Sequence, residues 1–245
     1  MNLEELLTHV AGEYLDDRTE MLDGDPDELW SDELIVRYLN EAQRIFCRRS
    51  WVLTDIDNPT AGRIALVSGK ALYSLHKSVL RVYDATYDTD AAPLARVTDA
   101  QMRQRPFADP EGFYDLNGVS AATPGAPVAI ATDAGTHMLR VFPTPATAQG
   151  GKRLALKVAR MPVCYLDLNK TSESPEIPEE WHMAIGRYAA GRCLTMPTVD
   201  GEARILGRAL LAEFDNDVRL ARQERTRAEM APGSWVPMST TSVIR

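Results

Sequence analysis

The chain has 245 residues, 44% of them apolar, a formal charge of −8 and three cysteines, which suffices for a sizeable core in one large domain or two small ones. Cys47, Cys164 and Cys193 are odd in number and too widely spaced for a disulfide framework or a C-x-x-C zinc unit, so they read as reduced, mostly buried thiols. No basic segment leads into an apolar run at the N-terminus and 18 apolar residues nowhere stand together, so neither an export signal nor a membrane anchor is expected and the chain reads as cytosolic in origin.

The charge is uneven. Residues 1–33 hold twelve acids against Arg18 alone, a balance of −11 that leaves the rest of the chain at about +3. Such an edge repels nucleic acid and suits solvent or a basic partner surface. Within it Leu3, Leu6, Leu7, Val10 and Tyr14 fall at helical spacing behind Asn2, a capping residue type, and predict a short amphipathic helix. An acidic connector over 16–29 holds Gly24 and Pro26. Ser31 then stands as the expected cap of a longer helix with Asp32 and Glu33 at its positive end. Leu34, Ile35, Tyr38, Leu39, Ala42, Ile45 and Phe46 supply its stripe, and Arg37 and Glu41 stand at i, i+4 on the other face.

From about residue 61 the period changes to two. Residues 63–67, 71–75, 79–87, 94–97, 128–132, 137–142 and 154–160 read as strands separated by Gly, Pro and Asp turns, a spacing that suits an antiparallel sandwich or small barrel. Thr98–Arg105 interrupts them with a helical pattern. Residues 106–126 form a Pro- and Gly-punctuated excursion that holds a loop or poorly paired strand over Phe113–Val119.

Helix returns at Ile177-Pro178-Glu179-Glu180-Trp181-His182, where Pro178 suits a first helical position. Gly186 and Gly191 weaken this helix by ~1 kcal/mol each relative to alanine, for which a close helix–helix approach would compensate. After a turn over Pro197–Gly201, a final helix draws its stripe from Ile205, Leu206, Ala209, Leu210, Phe214, Val218 and Leu220 and is expected to project beyond the core thereafter. The tail 231–245 has too little apolar surface to offset its ordering entropy alone, yet Trp235, Val236, Met238, Val243 and Ile244 could fill a partner's groove while the backbone pairs with an edge strand.

Chemistry is thin. Asp23-Gly24-Asp25-Pro26-Asp27 begins like a calcium loop but has Glu28 where glycine is needed and Leu34 where a bidentate glutamate belongs. Gly69-Lys70 lacks the upstream glycine and the Ser/Thr of a phosphate loop. His9, His76, His137 and His182 stand apart, and neither an H-E-x-x-H pair nor a G-x-S-x-G turn occurs, so no catalytic, cofactor-binding or metal residue is assigned. The six arginines between Arg204 and Arg227 are balanced by acids, which leaves weak, sequence-independent contact as all that segment could offer DNA.

Three segments carry a resemblance: W-S-D-E-L-I-V-R-Y-L-N-E-A-Q-R-I-F-C-R-R from Trp30, L-R-V-F-P-T-P-A from Leu139, and S-P-E-I-P-E-E-W-H-M-A-I-G-R-Y-A-A-G-R-C from Ser174. Together they resemble bacteriophage head-to-tail adaptor (connector) proteins of the tail tubular protein A-like family. The resemblance implies an α+β protein with a helical bundle from both chain ends (1–60 and 171–230), an inserted β domain (61–165) and an extended C-terminal tail (231–245). It implies a non-enzymatic virion component at the head–tail interface, assembled in the host cytoplasm. The expected partners are the portal protein, a tail nozzle or tail tube protein and further copies of itself, usually twelve in a ring, with transient non-specific contact to genomic DNA in the channel. Trp235, Val236, Met238, Val243 and Ile244 are the expected docking residues toward portal or neighbouring subunit. The main alternative is a β-sandwich tail module that binds a receptor or carbohydrate, with a cell-wall-degrading tail enzyme third.

Overall fold

A computed structural model describes residues 1–15, 30–88, 92–103, 124–197 and 199–229. They form an α+β protein with two sheets, and the chain divides into two compact units, Met1–Val52 with everything from Cys164 onward, and Leu53–Val163. The acidic connector over 16–29, the excursion with Phe113–Val119 and the tail with Trp235, Val236, Met238, Val243 and Ile244 lie outside the described residues.

In the first unit, helix α1 (Leu3–His9) opens on a capping box: the Asn2 side chain accepts from Glu5 N at 2.8 Å and the Glu5 carboxylate accepts from Asn2 N at 3.1 Å. Two further first-turn N–H groups, of Leu3 and Glu4, donate to the carbonyls of Glu173 and Thr171, so the polar stretch before the second half of the unit closes the helix start. A five-residue π-turn, Val10–Tyr14, continues it. Helix α2 (Asp32–Ser50) has Ser31 at its cap position, but the serine contributes its carbonyl and no side-chain hydrogen bond. It ends on Trp51 in the left-handed conformation (φ 58°), whose N–H reaches Cys47 O.

A 3₁₀ turn, Glu179–Trp181, leads into α4 (His182–Leu194), and α5 (Gly201–Glu229) follows with Asp200 as a side-chain cap to Ala203 N at 2.8 Å. α2, α4 and α5 meet around an aromatic cluster: Phe46 lies 5.5 Å from Trp181 and 6.0 Å from Phe214, which in turn lies 4.8 Å from Tyr188, centroid to centroid. Phe46 and Phe214 are fully buried, a contribution of roughly 2–3 kcal/mol each. The close approach expected of the glycines occurs at Gly191, where an added Cβ would stand 2.9 Å from Gly207 O, and at Gly207, where it would stand 2.8 Å from Leu194 Cβ.

The second unit holds β1 (Thr54–Ile56), β2 (Arg63–Ala65), β3 (Leu72–Ser74), β4 (Val79–Tyr87), β5 (Ala95–Arg96), α3 (Asp99–Arg103), β6 (Ala129–Ala131), β7 (Met138–Phe142) and β8 (Arg153–Arg160). In one sheet β8 pairs antiparallel with β4 along one edge and with β1 and β2 in succession along the other. The other sheet runs β3-β7-β6-β5. Its β5–β6 pair is parallel, so this sheet is mixed where an antiparallel one was expected; the long connection from Arg96 to Ala129, which includes α3, supplies the crossover that a parallel pair requires. β1 was unforeseen, because two of its three residues, Thr54 and Asp55, are polar and its apolar one, Ile56, faces solvent. Residues of both sheets, among them Tyr73, Val82, Ile130, Leu139, Leu154 and Leu156, share one apolar cluster. In β4 the buried positions are Val79, Val82, Ala85 and Tyr87, because register shifts after Val79 and after Val82 each insert a residue and stretch the alternation.

Candidate assembly surface

Both amides of α2 that face the returning chain are used to hold it. Asn40 clamps Leu166 by a reciprocal pair, its Nδ2 donating to the carbonyl and its Oδ1 accepting from the N–H, both at 2.9 Å. Gln43, buried, accepts from Glu176 N at 3.3 Å. On the same helix Glu41 accepts the Tyr188 hydroxyl at 2.9 Å, where the sequence offered Arg37 as its neighbour; burial, and then this bond, push the Tyr188 phenol up to about 12. Arg49 of α2 pairs with Asp215 of α5, and Arg187 of α4 pairs with Asp217 at 2.7 Å and Glu213 at 3.3 Å. These cross-links tie the three helices to one another.

Other titratable groups of this unit are shifted by burial or by a single partner. His182 is buried, its Nε2 donating to Ile177 O at 2.9 Å while Nδ1 has no hydrogen-bond partner among the described residues; burial holds its pKa below the usual histidine value. Glu179 meets the Met1 ammonium at 2.8 Å, and that contact lowers its carboxyl pKa. Burial pushes the Cys193 thiol up to about 12, which leaves it a poor nucleophile. Among the described residues no group of three His, Cys, Asp or Glu side chains is placed to hold a metal ion, and no helix is long and apolar enough to cross a membrane.

A depression along α1 is lined by Glu4, Glu5, Glu13 and His9 with small polar neighbours, an acidic surface. On the β unit a smaller cavity of about 240 Å³ collects Arg81, Arg96 and His137 with aliphatic walls. It has no aromatic platform of the kind that stacks on a sugar ring, and Ile56 and Val67 are the large exposed apolar residues among the described part of that unit.

Among the described residues of the helical unit, the large exposed apolar side chains are Tyr165, 54% exposed, and three on α5. The buried stripe of that helix is Gly207, Leu210, Phe214, Val218 and Ala221, whereas Ile205 is 68% exposed, Leu206 50% and Leu220 40%. Half of the stripe read from the sequence is thus the outer face of the helix, because α5 carries apolar residues on two sides and periodicity cannot say which side is covered. Nor does contact stop at residue 220: Ala221 is buried and the Arg222 guanidinium sits 3.3 Å above the Trp51 ring centroid. The docking residues expected in the tail, Trp235 to Ile244, lie outside the described residues.

No curated protein matches the chain. The family model described as SU10 adaptor protein matches residues 1–237, nearly the whole sequence and both compact units, in agreement with the adaptor resemblance carried by the helices at Trp30 and Ile177. On that match the chain belongs to the SU10 adaptor protein family.

Proposed function

We propose that this protein is a structural head-to-tail adaptor of a tailed phage: copies assemble into a ring that joins the capsid portal to the tail nozzle or tail tube and leaves a channel for DNA. The observation that carries the reading is the family match over residues 1–237. The cross-linked helical unit supports it, since a connector transmits load through packed elements and needs no reactive group. In this reading the helices of both chain ends form the bundle, the β unit is an insertion of sandwich type, and Trp235, Val236, Met238, Val243 and Ile244 dock on the portal or an adjacent subunit. The near-zero charge of the arginine-bearing α5 fits DNA that must pass without adhering.

Electron microscopy of the purified chain with and without its purified portal tests the proposal. A ring stacked coaxially on the portal is expected. Failure of the chain to bind the portal at micromolar concentration, with both proteins folded, would overturn it.

A further inference from the structure

The cavity of about 240 Å³ on the β unit gathers positive charge from both sheets. Arg81 comes from β4 of one sheet, and Arg96 from β5, Thr132 after β6 and His137 before β7 come from the other. Leu75 and Val79 are among its aliphatic walls, and among the described residues no carboxylate lines it. Four other arginines of the unit are each met by a carboxylate: Arg63 and Arg153 by Asp57, Arg140 by Asp99 and Arg160 by Asp55. Arg96 has no such partner among the described residues, and neither does the His137 ring. Arg81 is restrained at the cavity by the Tyr83 ring, whose centroid lies 5.0 Å from its guanidinium carbon. His137 is in the left-handed conformation (φ 53°), which glycine adopts at less cost. Its carbonyl accepts from Leu75 N at 2.8 Å, so the backbone that carries the ring is tied to the end of β3. A histidine kept in that conformation at the rim of a cavity points to use of its ring.

From this arrangement we propose that the cavity is a binding site for a small oxyanion, a phosphate or a carboxylate. A recess lined by one sign of charge, with aliphatic walls that hold back the screening of water, focuses a positive potential inside it. Guanidinium groups donate hydrogen bonds and accept none, so the ligand must supply acceptor oxygens, and Arg forks match the spacing of two oxygens on one phosphorus or carboxyl carbon. The Thr132 hydroxyl is a further donor of the right type at the same cavity. The volume suits one such group with a few waters, at roughly 30 Å³ for each water. None of these residues takes part in the ion pairs of the helical unit, so anion binding and portal binding can fail independently.

The test uses full-length protein with sodium phosphate and, separately, sodium acetate as probes, at an ionic strength held constant with sodium chloride so that general screening does not change. Calorimetry gives the affinity and proton NMR of the histidine rings gives the place. Saturable binding with a Kd of ~1 mM is expected, with the His137 ring signal, identified by its loss in His137→Gly, shifting along the same curve. Arg96→Gln removes a partly exposed side chain without breaking an ion pair among the described residues, and His137→Gly keeps the left-handed backbone while deleting the ring. Each is expected to bind about tenfold or more weakly than the parent, at an unchanged melting temperature. Arg208→Gln, which removes one positive charge from α5, is expected to bind as the parent does. Tighter binding of phosphate assigns the site to a phosphate group, and tighter binding of acetate assigns it to a carboxylate such as a partner's acidic side chain. Saturation by neither anion up to tens of millimolar, parental affinity in both Arg96→Gln and His137→Gly, or an equal loss in Arg208→Gln would overturn the site.

Discussion

Burial sorts the cysteines and makes their chemistry testable one by one. Cys47 and Cys193 are buried and Cys164 is exposed, so a maleimide added to the native protein is expected to modify one thiol, found at Cys164 by peptide mass, and all three only in denaturant; rapid native labelling of Cys193 would show that α4 opens. His182 predicts a pH dependence. Its folded pKa lies below the ordinary 6.5, so the unfolded chain binds the proton first: stability is full above about that pH and falls as pH descends through it. His182→Gln, which keeps a donor for Ile177 O and cannot titrate, is expected to flatten the decline in urea midpoint between about pH 7 and pH 5. A variant that declines as steeply as the parent places the acid sensitivity elsewhere. In the tail, Trp235→Ala is expected to weaken portal binding by ~2 kcal/mol, roughly thirtyfold, because buried aromatics dominate contacts of this kind, with the melting temperature of the free chain unchanged. Unchanged affinity would assign docking to the folded helices.

At the scale of elements, the contact of α4 with α5 sets two known effects against each other. Replacing a helical glycine by alanine gains ~1 kcal/mol of propensity, and forcing a methyl into a packed site costs ~1–3 kcal/mol. At Gly207 the new Cβ meets Leu194 Cβ at 2.8 Å and the Gly191 carbonyl at 3.1 Å, neither of which can rotate away, so Gly207→Ala is expected to be destabilising by ~1 kcal/mol or more. At Gly186 the nearest atoms are the Val10 and Leu6 methyls at 3.3 and 3.5 Å, which can give, and Gly186→Ala is expected to be near neutral. Chemical denaturation of the two variants decides it: equal effects would mean that the helices part easily at Gly207. The need for a close approach was legible from Gly191, since an exposed glycine in a helix has no such compensation, but its partner Gly207 was not, because pairing between helices leaves no mark in either one. The same holds across the molecule. All seven strands read from alternation are present at least in part, even β4 with its two bulges, because each lies in a run whose apolar residues mark the buried face. Thr54-Asp55-Ile56 of β1 has no such mark, since two of its residues are polar and Ile56 faces solvent, and the direction of β5 against β6 depends on how the chain returns. The two-sided α5 defeated its stripe for the converse reason: Ile205 and Leu220 keep helical spacing while facing solvent.

Each of the two compact units has an apolar core of its own among the described residues. The helical unit has the Phe46–Trp181–Phe214–Tyr188 cluster and its ion-pair links, and the β unit has the shared cluster of its two sheets. The chain enters and leaves the β unit through adjacent antiparallel backbone, where Arg160 N donates to Leu53 O at 3.0 Å and Thr54 stands opposite Ala159. Excision of Leu53–Val163, with Val52 joined to Cys164 by a short Gly/Ser linker of about four residues, is therefore expected to leave a helical protein that melts cooperatively. The linker spans a gap that the β unit closes with two neighbouring strands, and the loop-closure entropy of so short a connection is small. Helices α1 and α2 depend on the chain after residue 164 for their caps and contacts, at Glu173, Leu166 and Glu176, all of which the excision retains. Far-ultraviolet circular dichroism and a thermal melt provide the measurement. Loss of the sigmoidal transition, with helical signal decaying gradually on heating, would mean that the β unit supplies part of the helical core and that the two units fold as one.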